Sequence, residues 1–420
     1  MNTKAVRLHA KNDLRLDEFA LPEIKDDEIL VHIISDSICM SSHKAAIQGT
    51  EHKRVPKDID IHPVIIGHEF AGDIVSVGKK WQGKFKAGNK FAIQPAMNRP
   101  GRYEAPGYSY MYAGGAATYA ILPAEIMEHD CLLDYSGKAY FYGSLAEPVS
   151  CIVGAFHASY HVKKGCYDHE MGIKNGGFMA ILAGAGPMGL GAIDLAIHGA
   201  KKPKLLVVTD IDQARLDRAA SILTPADAQS NGVDLRYVNT SGMTDVIAEL
   251  RKLTDDNGFD DVLVFAAVKP LVEAGDGLLA DDGCMNFFAG PTDKKFNALF
   301  NFYAVHYIGT HIVGTSGGNT DDMKESLELM QKGLLNPSVM VTHVGGLDAA
   351  AQATIDLPKI PGGKKLIYTN ISLPMTAISE FKEKGKIDPF FASLAQICSR
   401  NNDLWSPEAE AYLLANAKSI

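Results

Sequence analysis

A glycine-rich turn between two apolar segments is the feature that most constrains the fold of this chain. The turn, GAGPMG at 184–189, directly follows the apolar run 178–183, and a second apolar run, 205–209, ends beside Asp210. This acid lies 21 residues beyond Gly189. Strand, glycine turn, helix, strand and acid in this order form the pattern of a dinucleotide-binding βαβ unit. Glycines alone often mark an ordinary turn, so the prediction depends on this context.

The turn and the acid have distinct predicted roles toward a coenzyme. Gly184 permits the tight turn, Gly186 lets a pyrophosphate approach the backbone, and Gly189 lets the next helix pack closely. That helix offers unpaired amides to the phosphates. Asp210 suits a ribose with two free hydroxyls, whereas a 2′-phosphate would meet like charge, so NAD(H) is favoured. Arg215 and Arg218 lie nearby in the sequence and make some use of NADP(H) an alternative. The predicted coenzyme-binding residues are Gly184, Gly186, Pro187, Met188, Gly189, Asp210 and Arg215.

Composition and charge exclude several classes of protein. The 420 residues are 46% hydrophobic and 22% charged, which is typical of a soluble chain of two or three domains. A net charge of −9 argues against nucleic-acid binding. No apolar run is long enough to cross a bilayer, and the N-terminus lacks the apolar core of a signal peptide. We therefore expect a cytoplasmic protein that binds neither nucleic acid nor membrane.

The pattern of apolar segments predicts an inserted domain. Short strands dominate up to about residue 148, where alternating helices and strands begin, as in a parallel sheet. A glycine cluster at 314–318 ends this region, and a mixed segment with a helical tail follows. Three consecutive independent domains are the less favoured alternative. We predict that residues 1–150 form the N-terminal part of a first, catalytic domain and that residues 151–316 form an inserted dinucleotide-binding domain. Residues 317–420 then return to the first domain and end in a helical tail.

Three separated segments of the first half carry metal-ligand side chains. They contribute Cys39, the pair His68 and Glu69, and Glu147. Thiolate, imidazole and carboxylate suit a catalytic zinc with an open coordination position. Such a cation favours proton loss from an alcohol and stabilises the developing alkoxide, which hydride transfer to a nicotinamide requires. Each of these residues alone would be interpreted as an ordinary structural residue, but their combination with a dinucleotide domain favours an oxidoreductase.

Several separated motifs carry a resemblance to a known family. They are Cys39 after an early strand, GHEFAGDIVSVG at 67–78, GGAATYAIL at 114–122, AEP at 146–148 and the GAGPMG turn. With them the chain resembles the zinc-dependent medium-chain dehydrogenases/reductases over nearly its whole length. The Glu-Pro pair is similar to the polyol dehydrogenase branch, since simple alcohol dehydrogenases carry cysteine there. The resemblance implies an α/β fold, with a doubly wound Rossmann sheet inserted into a β-rich GroES-like catalytic domain, and a homo-oligomer (dimer or tetramer).

The resemblance also implies a ligand set for one catalytic zinc. It assigns Cys39 and His68 as ligands, and either Glu69 or Glu147 completes the site. Because adjacent residues of an extended strand point to opposite faces, His68 and Glu69 reach one ion together only if the chain bends at Gly67. Glu69 entering transiently is a further alternative. The four closely spaced cysteines that bind a second, structural zinc in many members are missing from 94–119, so we expect one zinc per chain.

A proton relay follows from the same resemblance. Ser41 matches the hydroxyl that passes on the alcohol proton, although a capping serine is the alternative. Lys44 stands at the next relay position, where histidine is common. It either acts as relay, holds a substrate phosphate, or is simply solvated.

Other polar groups are harder to assign. Lys53, Arg54 and Lys57 either attract an anionic sugar or form a solvated loop. His157 and His161 are expected near the C-terminus of one helix, interacting with its dipole. An aromatic and basic lobe forms either a contact surface for substrate or subunit, or a plain polar loop; it comprises Arg99, Arg102, Tyr103, Tyr108, Tyr110 and Tyr112.

The implied activity is that of an NAD(P)(H)-linked oxidoreductase acting on an alcohol carbon. A ketose phosphate and a polyol phosphate are the expected substrates, with L-sorbose 1-phosphate and D-glucitol 6-phosphate as the first pair. A dehydrogenase of unphosphorylated polyols is the alternative. A non-catalytic nucleotide-binding regulator is disfavoured because Cys39 and His68 are both present.

Overall fold

The chain divides into two units in the computed structural model, which describes residues 1–420. The first unit comprises Met1–Pro148, Asn319–Gln331 and Val341–Ile420. The second comprises Val149–Gly318 and Lys332–Met340, and is therefore an insertion into the first. Residues 332–340, which the sequence prediction placed in the returning segment, belong to the second unit.

The first segment of the chain is mainly short strands. It contains β1 (Asn2–Ala10), β2 (Asp13–Ala20), β3 (Ile29–Ile38), α1 (Met40–Gln48), β4 (Val64–Ile65), β5 (Phe70–Val77), β6 (Lys90–Ile93), β7 (Tyr119–Leu122), α2 (Ala124–Glu128), β8 (Leu132–Tyr135) and α3 (Tyr140–Ala158). Strands and helices alternate in the inserted segment, after a short hairpin. It contains β9 (Tyr160–Val162), β10 (His169–Met171), β11 (Phe178–Leu182), α4 (Pro187–His198), β12 (Leu205–Asp210), α5 (Gln213–Ile222), α6 (Pro225–Ser230), β13 (Asp234–Asn239), α7 (Val246–Arg251), β14 (Phe259–Val264), α8 (Lys269–Leu278), β15 (Leu279–Phe287) and β16 (His311–Gly314).

The last segment returns to the first unit. It contains α9 (Thr320–Gln331), β17 (Val341–Gly346), α10 (Leu347–Ile355), β18 (Lys364–Tyr368), β19 (Thr376–Ala377), α11 (Phe381–Lys384), α12 (Pro389–Ser399) and α13 (Pro407–Asn416). None of the helices in the structure combines the length and apolar character needed to span a membrane.

An eight-stranded sheet organises the first unit. Its order is β19-β17-β18-β3-β5-β6-β8, with β7 also paired to β3, and a smaller sheet has the order β2-β1-β4. β3 is the central strand because β5, β7 and β18 all pair with it, each antiparallel. Residues of its first half, such as Val31 and Ile33, are fully buried, and this anchors the strand whose end carries Cys39.

The second unit contains a six-stranded, fully parallel sheet. Its order, β13-β12-β11-β14-β15-β16, is the 3-2-1-4-5-6 order of a dinucleotide-binding fold. Its inner strands β12 and β14 are buried along their whole length, as expected for strands covered on both faces. The predicted fold class is confirmed: a Rossmann sheet is inserted into a β-rich domain.

One local prediction is wrong. α3 ends at Ala158, and His161 lies in β9, where it pairs with Glu170 of β10. The two histidines therefore do not share a helix. The His161 Nε2 atom lies 3.3 Å from an Asp261 carboxylate oxygen. Burial lowers the pKa of His161, but Asp261 and Asp282 together outweigh burial and the pKa is raised overall. Hairpin pairing and these two acids, rather than a helix dipole, determine its environment.

The C-terminal tail belongs to the core of the first unit. Trp405, Leu394 and Leu413 pack in one buried cluster with residues of β17 and β18. Glu410 is also buried, and its carboxylate accepts hydrogen bonds from the backbone amides of Tyr140 and of the following residue at the start of α3. The tail therefore closes the N-terminal end of the helix that carries Glu147.

Candidate active site

Strand pairing brings distant residues to one end of β3. Cys39 directly follows β3 and precedes α1. β5 and β18 are neighbours of β3 and run antiparallel to it. The residues that begin these two strands therefore lie beside the residue that follows β3. This arrangement places Glu69, just before β5, and Lys364, the first residue of β18, next to Cys39.

Three candidate metal ligands converge here. Donor atoms of Cys39, His68 and Glu69 all lie within 4.8 Å of one another. Gly67 has a φ of +88°, which bends the chain before the two adjacent ligands. A Cβ at this position would lie 2.2 Å from an Asp36 carboxylate oxygen, so only glycine fits. His68 and Glu69 can thus face one point although they are neighbours in sequence.

Hydroxyl groups surround the imidazole of His68. The Ser42 Oγ lies 3.1 Å from Nδ1, while the Ser41 Oγ and the Tyr108 hydroxyl each lie 3.3 Å from Nε2. Tyr108 donates to the Ser41 Oγ over 2.8 Å, and Ser41 donates to the Cys39 sulfur over 3.1 Å. The Ser42 contact orients the ring through its far nitrogen, as hydrogen-bonding partners of ligand histidines commonly do. Ser41 is therefore in contact with two of the candidate ligands.

Glu69 is held by a buried ion pair. The Lys364 Nζ donates to both of its carboxylate oxygens, at 2.5 and 2.7 Å. Both side chains are almost completely buried. Burial lowers the pKa of Lys364, but the neighbouring acidic groups, chiefly Glu69 and also Cys39 and Glu147, together outweigh this effect and the pKa is raised. A metal ion at this site would compete with the ammonium group for the same two oxygens.

The protonation tendencies of the site fit a divalent cation. Burial, followed by the charge of Glu69, raises the pKa of Glu147 to about 7 and raises the pKa of the Cys39 thiol. The same two causes raise the pKa of Asp36 well above its usual value. Burial also lowers the pKa of His68, which favours the neutral imidazole that binds metals. A bound cation stabilises the deprotonated carboxylates and thiolate and the neutral imidazole, which are the forms that bind metals.

Lys44 lies on α1, half-buried, three residues after Ser41. This spacing places the two side chains on the same face of the helix. Lys44 also contributes to the positive potential at His52.

The predicted coenzyme residues form a strand-turn-helix unit. Gly186 caps α4, and Pro187 is its first residue. Gly189 packs so closely on the turn that a Cβ there would lie 2.0 Å from the Gly184 carbonyl oxygen. The first turn of α4 therefore leaves its amides available to a phosphate.

Asp210 is buried at the end of β12, the position expected for a ribose-binding acid. One of its carboxylate oxygens accepts from the amides of Ile211 and Asp212, at 2.8 and 3.1 Å. Arg215 is exposed at the start of α5, and its guanidinium lies 3.6 Å from the carboxylate of Asp212.

Three residues of the site were not singled out from the sequence for the roles described here. Ser42 orients His68, Tyr108 contacts Ser41, and Lys364 pairs with Glu69. The sequence does carry a signal for Lys364, because two lysines begin a short strand at 364–368 whose other residues are apolar or aromatic. Tyr108 belonged to a lobe for which a plain polar loop was an equal alternative. Its ring is in fact buried, 4.8 Å from the ring of His68.

Comparison with known proteins identifies the family. The model for the alcohol dehydrogenase GroES-like domain matches residues 25–129, and the model for zinc-binding dehydrogenase matches residues 187–332. Mannitol-1-phosphate 5-dehydrogenase of Aliivibrio fischeri is 55% identical over 412 residues, which cover 98% of this chain and 97% of that protein. The chain belongs to the zinc-binding dehydrogenase family. It is an oxidoreductase of the alcohol and polyol dehydrogenase type, as the sequence predicted.

Two further proteins support this assignment. L-sorbose 1-phosphate reductase of Klebsiella pneumoniae is 49% identical over 418 residues, covering all of this chain and 98% of that one. The structure of 2R,3R-butanediol dehydrogenase from Bacillus subtilis superposes with a TM-score of 0.71 at 21% identity, over 88% of this chain and all of that one. The predicted resemblance is confirmed, and family membership implies zinc and a nicotinamide coenzyme.

Proposed function

We propose that this dehydrogenase uses zinc and NAD to interconvert a ketose phosphate and a hexitol phosphate. The convergence of Cys39, His68 and Glu69 within 4.8 Å, in a chain that also carries the dinucleotide fold, is the observation that supports it most directly. L-sorbose 1-phosphate and D-glucitol 6-phosphate are the first substrate pair, because the reductase named for that sugar is 49% identical. We also propose a cytoplasmic location, where NAD and sugar phosphates are both available.

A second hexitol phosphate, mannitol 1-phosphate, is an alternative substrate. The relative named mannitol-1-phosphate 5-dehydrogenase is 55% identical. Its name places the phosphate on C1 and the reacting carbon at C5. In L-sorbose 1-phosphate, the carbonyl carbon is instead adjacent to the phosphate-bearing carbon. The two substrates therefore differ in how far a phosphate-binding group must lie from the reacting carbon.

Cys39 and His68 would hold the zinc, with Glu69 as the nearest carboxylate and Glu147 as the alternative. Zinc in such a site favours loss of the alcohol proton and stabilises negative charge on the oxygen. The Ser41 hydroxyl would receive the proton, and its hydrogen bonds with Cys39 and Tyr108 support this role. Lys44, on the same face of α1, is the candidate for the next proton carrier.

The position of Asp210 favours NAD over NADP. Its carboxylate ends β12, where the ribose of a dinucleotide is expected. A phosphate on that ribose would be repelled by the charge, and the guanidinium of Arg215 lies near Asp212, which would limit its ability to compensate. The coenzyme supplies the hydride acceptor, and the first turn of α4 would bind its pyrophosphate.

An exposed apolar segment of the second unit supports a homo-oligomer. Leu299, Phe302, Tyr303 and Tyr307 are each at least 66% exposed. They precede β16, which ends the six-stranded sheet with one unpaired edge. Apolar patches and free strand edges of this kind commonly mark protein interfaces. Phe302→Asp should lower the mass measured by light scattering, and an unchanged mass would count against this interface.

An absorbance assay of NADH tests the proposed function. We expect turnover with glucitol 6-phosphate or mannitol 1-phosphate, and a kcat/KM for the phosphorylated hexitol at least about tenfold above that for glucitol or mannitol. Zinc analysis of the same preparation should give one ion per chain. A preference for the neutral hexitol would favour the sorbitol-dehydrogenase alternative, and a zinc-free enzyme with full activity would refute the metal mechanism.

A further inference from the structure

Arg54 differs from the other arginines around this site in having no acidic partner. Arg99 and Arg102 both lie near the carboxylate of Glu104, at 3.2 and 3.8 Å. No carboxylate lies within ion-pair distance of the Arg54 guanidinium, which is half-buried. A half-buried cation without a counter-charge is costly unless a ligand supplies one.

The guanidinium of Arg54 has a defined position relative to the candidate metal site. Its central carbon lies 5.1 Å from the centroid of the Tyr108 ring, and that ring lies 4.8 Å from the ring of His68. The two distances together place the guanidinium no more than about 10 Å from the His68 ring. The Ser109 hydroxyl donates to the Arg54 carbonyl oxygen over 2.6 Å, which holds the backbone in place.

Further cations lie close to Arg54. The His52 ring stacks on Tyr108, with centroids 5.7 Å apart and an interplanar angle of 9°. Burial, and then the charges of Arg54, Lys53 and Lys44, lower the pKa of His52 to about 4. Three cations thus act on one neutral histidine, and the potential at the His52 ring favours an anion.

We infer that Arg54 binds the phosphate group of the substrate, an inference that rests on the proposed function. A guanidinium presents paired donors that match phosphate oxygens, and its stacking on Tyr108 keeps those donors oriented. The same tyrosine contacts Ser41, which links the phosphate site to the reacting end of the substrate. Arg54 is therefore a specificity-determining residue that distinguishes phosphorylated from neutral hexitols.

Steady-state kinetics of Arg54→Gln test this inference. We expect the KM for the phosphorylated hexitol that the wild type turns over to rise about 10- to 100-fold, the effect of losing hydrogen bonds to a charged group. kcat and the KM for the neutral hexitol should stay within about twofold. Inhibition by inorganic phosphate should weaken in parallel. Lys84→Gln is the control, because this exposed lysine of the same unit pairs with Asp130 at the surface and should leave every constant unchanged.

Two outcomes would overturn the inference. One is an unchanged KM for the phosphorylated hexitol, and the other is an equal rise for both hexitols. If Arg54→Gln does not fold, Arg54→Lys provides the test, because it keeps the charge but loses the paired donors and should give a smaller, still phosphate-specific rise. A wild-type enzyme that prefers neutral hexitols would instead contradict the proposed function itself, so the two failures are distinguishable.

Discussion

The coenzyme region of the second unit and the ligand cluster of the first are built in opposite ways. The coenzyme region is one continuous stretch, 178–210, in which the backbone of a glycine turn and a helix N-terminus provides the binding groups. In the ligand cluster, the side chains of Cys39, His68 and Glu69 provide the binding groups, and Lys364, about 300 positions further along the chain, pairs with Glu69. The backbone groups and the candidate ligands could both be proposed from sequence, whereas the side chains that surround the ligands could be identified only from the fold.

The two regions also treat charge differently. Strands β11 and β12 of the coenzyme region carry no charged residue before Asp210, which lies at a strand end and accepts backbone hydrogen bonds. In the first unit, Glu69, Lys364 and Glu410 are charged or titratable groups inside the core. We therefore expect the ligand cluster to be more sensitive than these two strands to the loss of single polar side chains.

The largest effect is expected from Cys39→Ser. Loss of the thiolate should remove zinc and lower kcat/KM by at least about 1000-fold, because stabilisation of the alcohol oxygen is worth several kcal/mol. The dissociation constant for NADH, from fluorescence titration, should change little because the coenzyme region is separate in sequence. Cys166→Ser removes an exposed thiol of the second unit and is the control. A simultaneous loss of NADH binding would show that the two regions are not independent.

Lys364→Met should have the largest effect on stability. It leaves the Glu69 carboxylate buried without a partner, at a cost of about 3–5 kcal/mol in the free energy of unfolding. Urea denaturation in the presence of a chelator measures this change without a compensating metal. Adding Glu69→Gln should restore at least half of the loss. Lys359→Met breaks an exposed pair with Asp356 and should cost less than about 1 kcal/mol. Equal costs for the two lysines would show that burial of the pair with Glu69 does not make it more important for stability.

Glu410 should make the first unit less stable as pH rises. Burial raises its pKa from an ordinary 4.5 to about 7. Because the folded state holds this proton more tightly than the unfolded state, the stabilisation is complete below pH 4.5 and is lost as pH rises through 7. The free energy of unfolding should fall by about 2–3 kcal/mol between pH 5 and 8. Glu410→Gln should flatten this slope, whereas Glu408→Gln, at an exposed surface pair, should retain it.

The smallest effect concerns the coenzyme region. Asp210→Asn keeps an oxygen for the Ile211 amide but removes the charge facing the ribose. We expect the dissociation constant for NADH to rise about tenfold and the discrimination against NADPH to decrease by a similar factor, measured by fluorescence titration. Asp217→Asn, an exposed acid on α5, is the control. An unchanged coenzyme preference would show that another group selects the ribose.

Local elements of both units could be predicted from the sequence. The early strand expected before Cys39 corresponds to β3 (Ile29–Ile38), and the apolar runs at 178–183 and 205–209 correspond to β11 (Phe178–Leu182) and β12 (Leu205–Asp210). The exception is His161, whose helical assignment failed because a hairpin partner, β10, outweighs the local pattern. Apolar periodicity and turn residues act over a few positions, so they report on elements and not on the pairing between them.

The candidate ligands could be proposed from residue chemistry, but their surroundings could not. Cys39, His68, Glu69 and Glu147 were all proposed from their residue types and their resemblance to family motifs. Lys364 reaches Glu69 only because β18 pairs with β3, more than 300 positions away in the chain. Antiparallel register determines which side chains become neighbours, and register depends on packing of the whole sheet.

Chain chemistry alone therefore established the coenzyme turn, the inserted domain and the donors for a metal. The folded arrangement decided that the bend at Gly67 lets adjacent residues face one point, that Glu69 is held by a buried lysine, and that Arg54 stands beside Tyr108 without an acidic partner. The physical reason is the distance along the chain over which each kind of interaction acts. Backbone conformation and periodicity act between near neighbours, whereas burial and charge pairing act between residues that only the tertiary fold brings together.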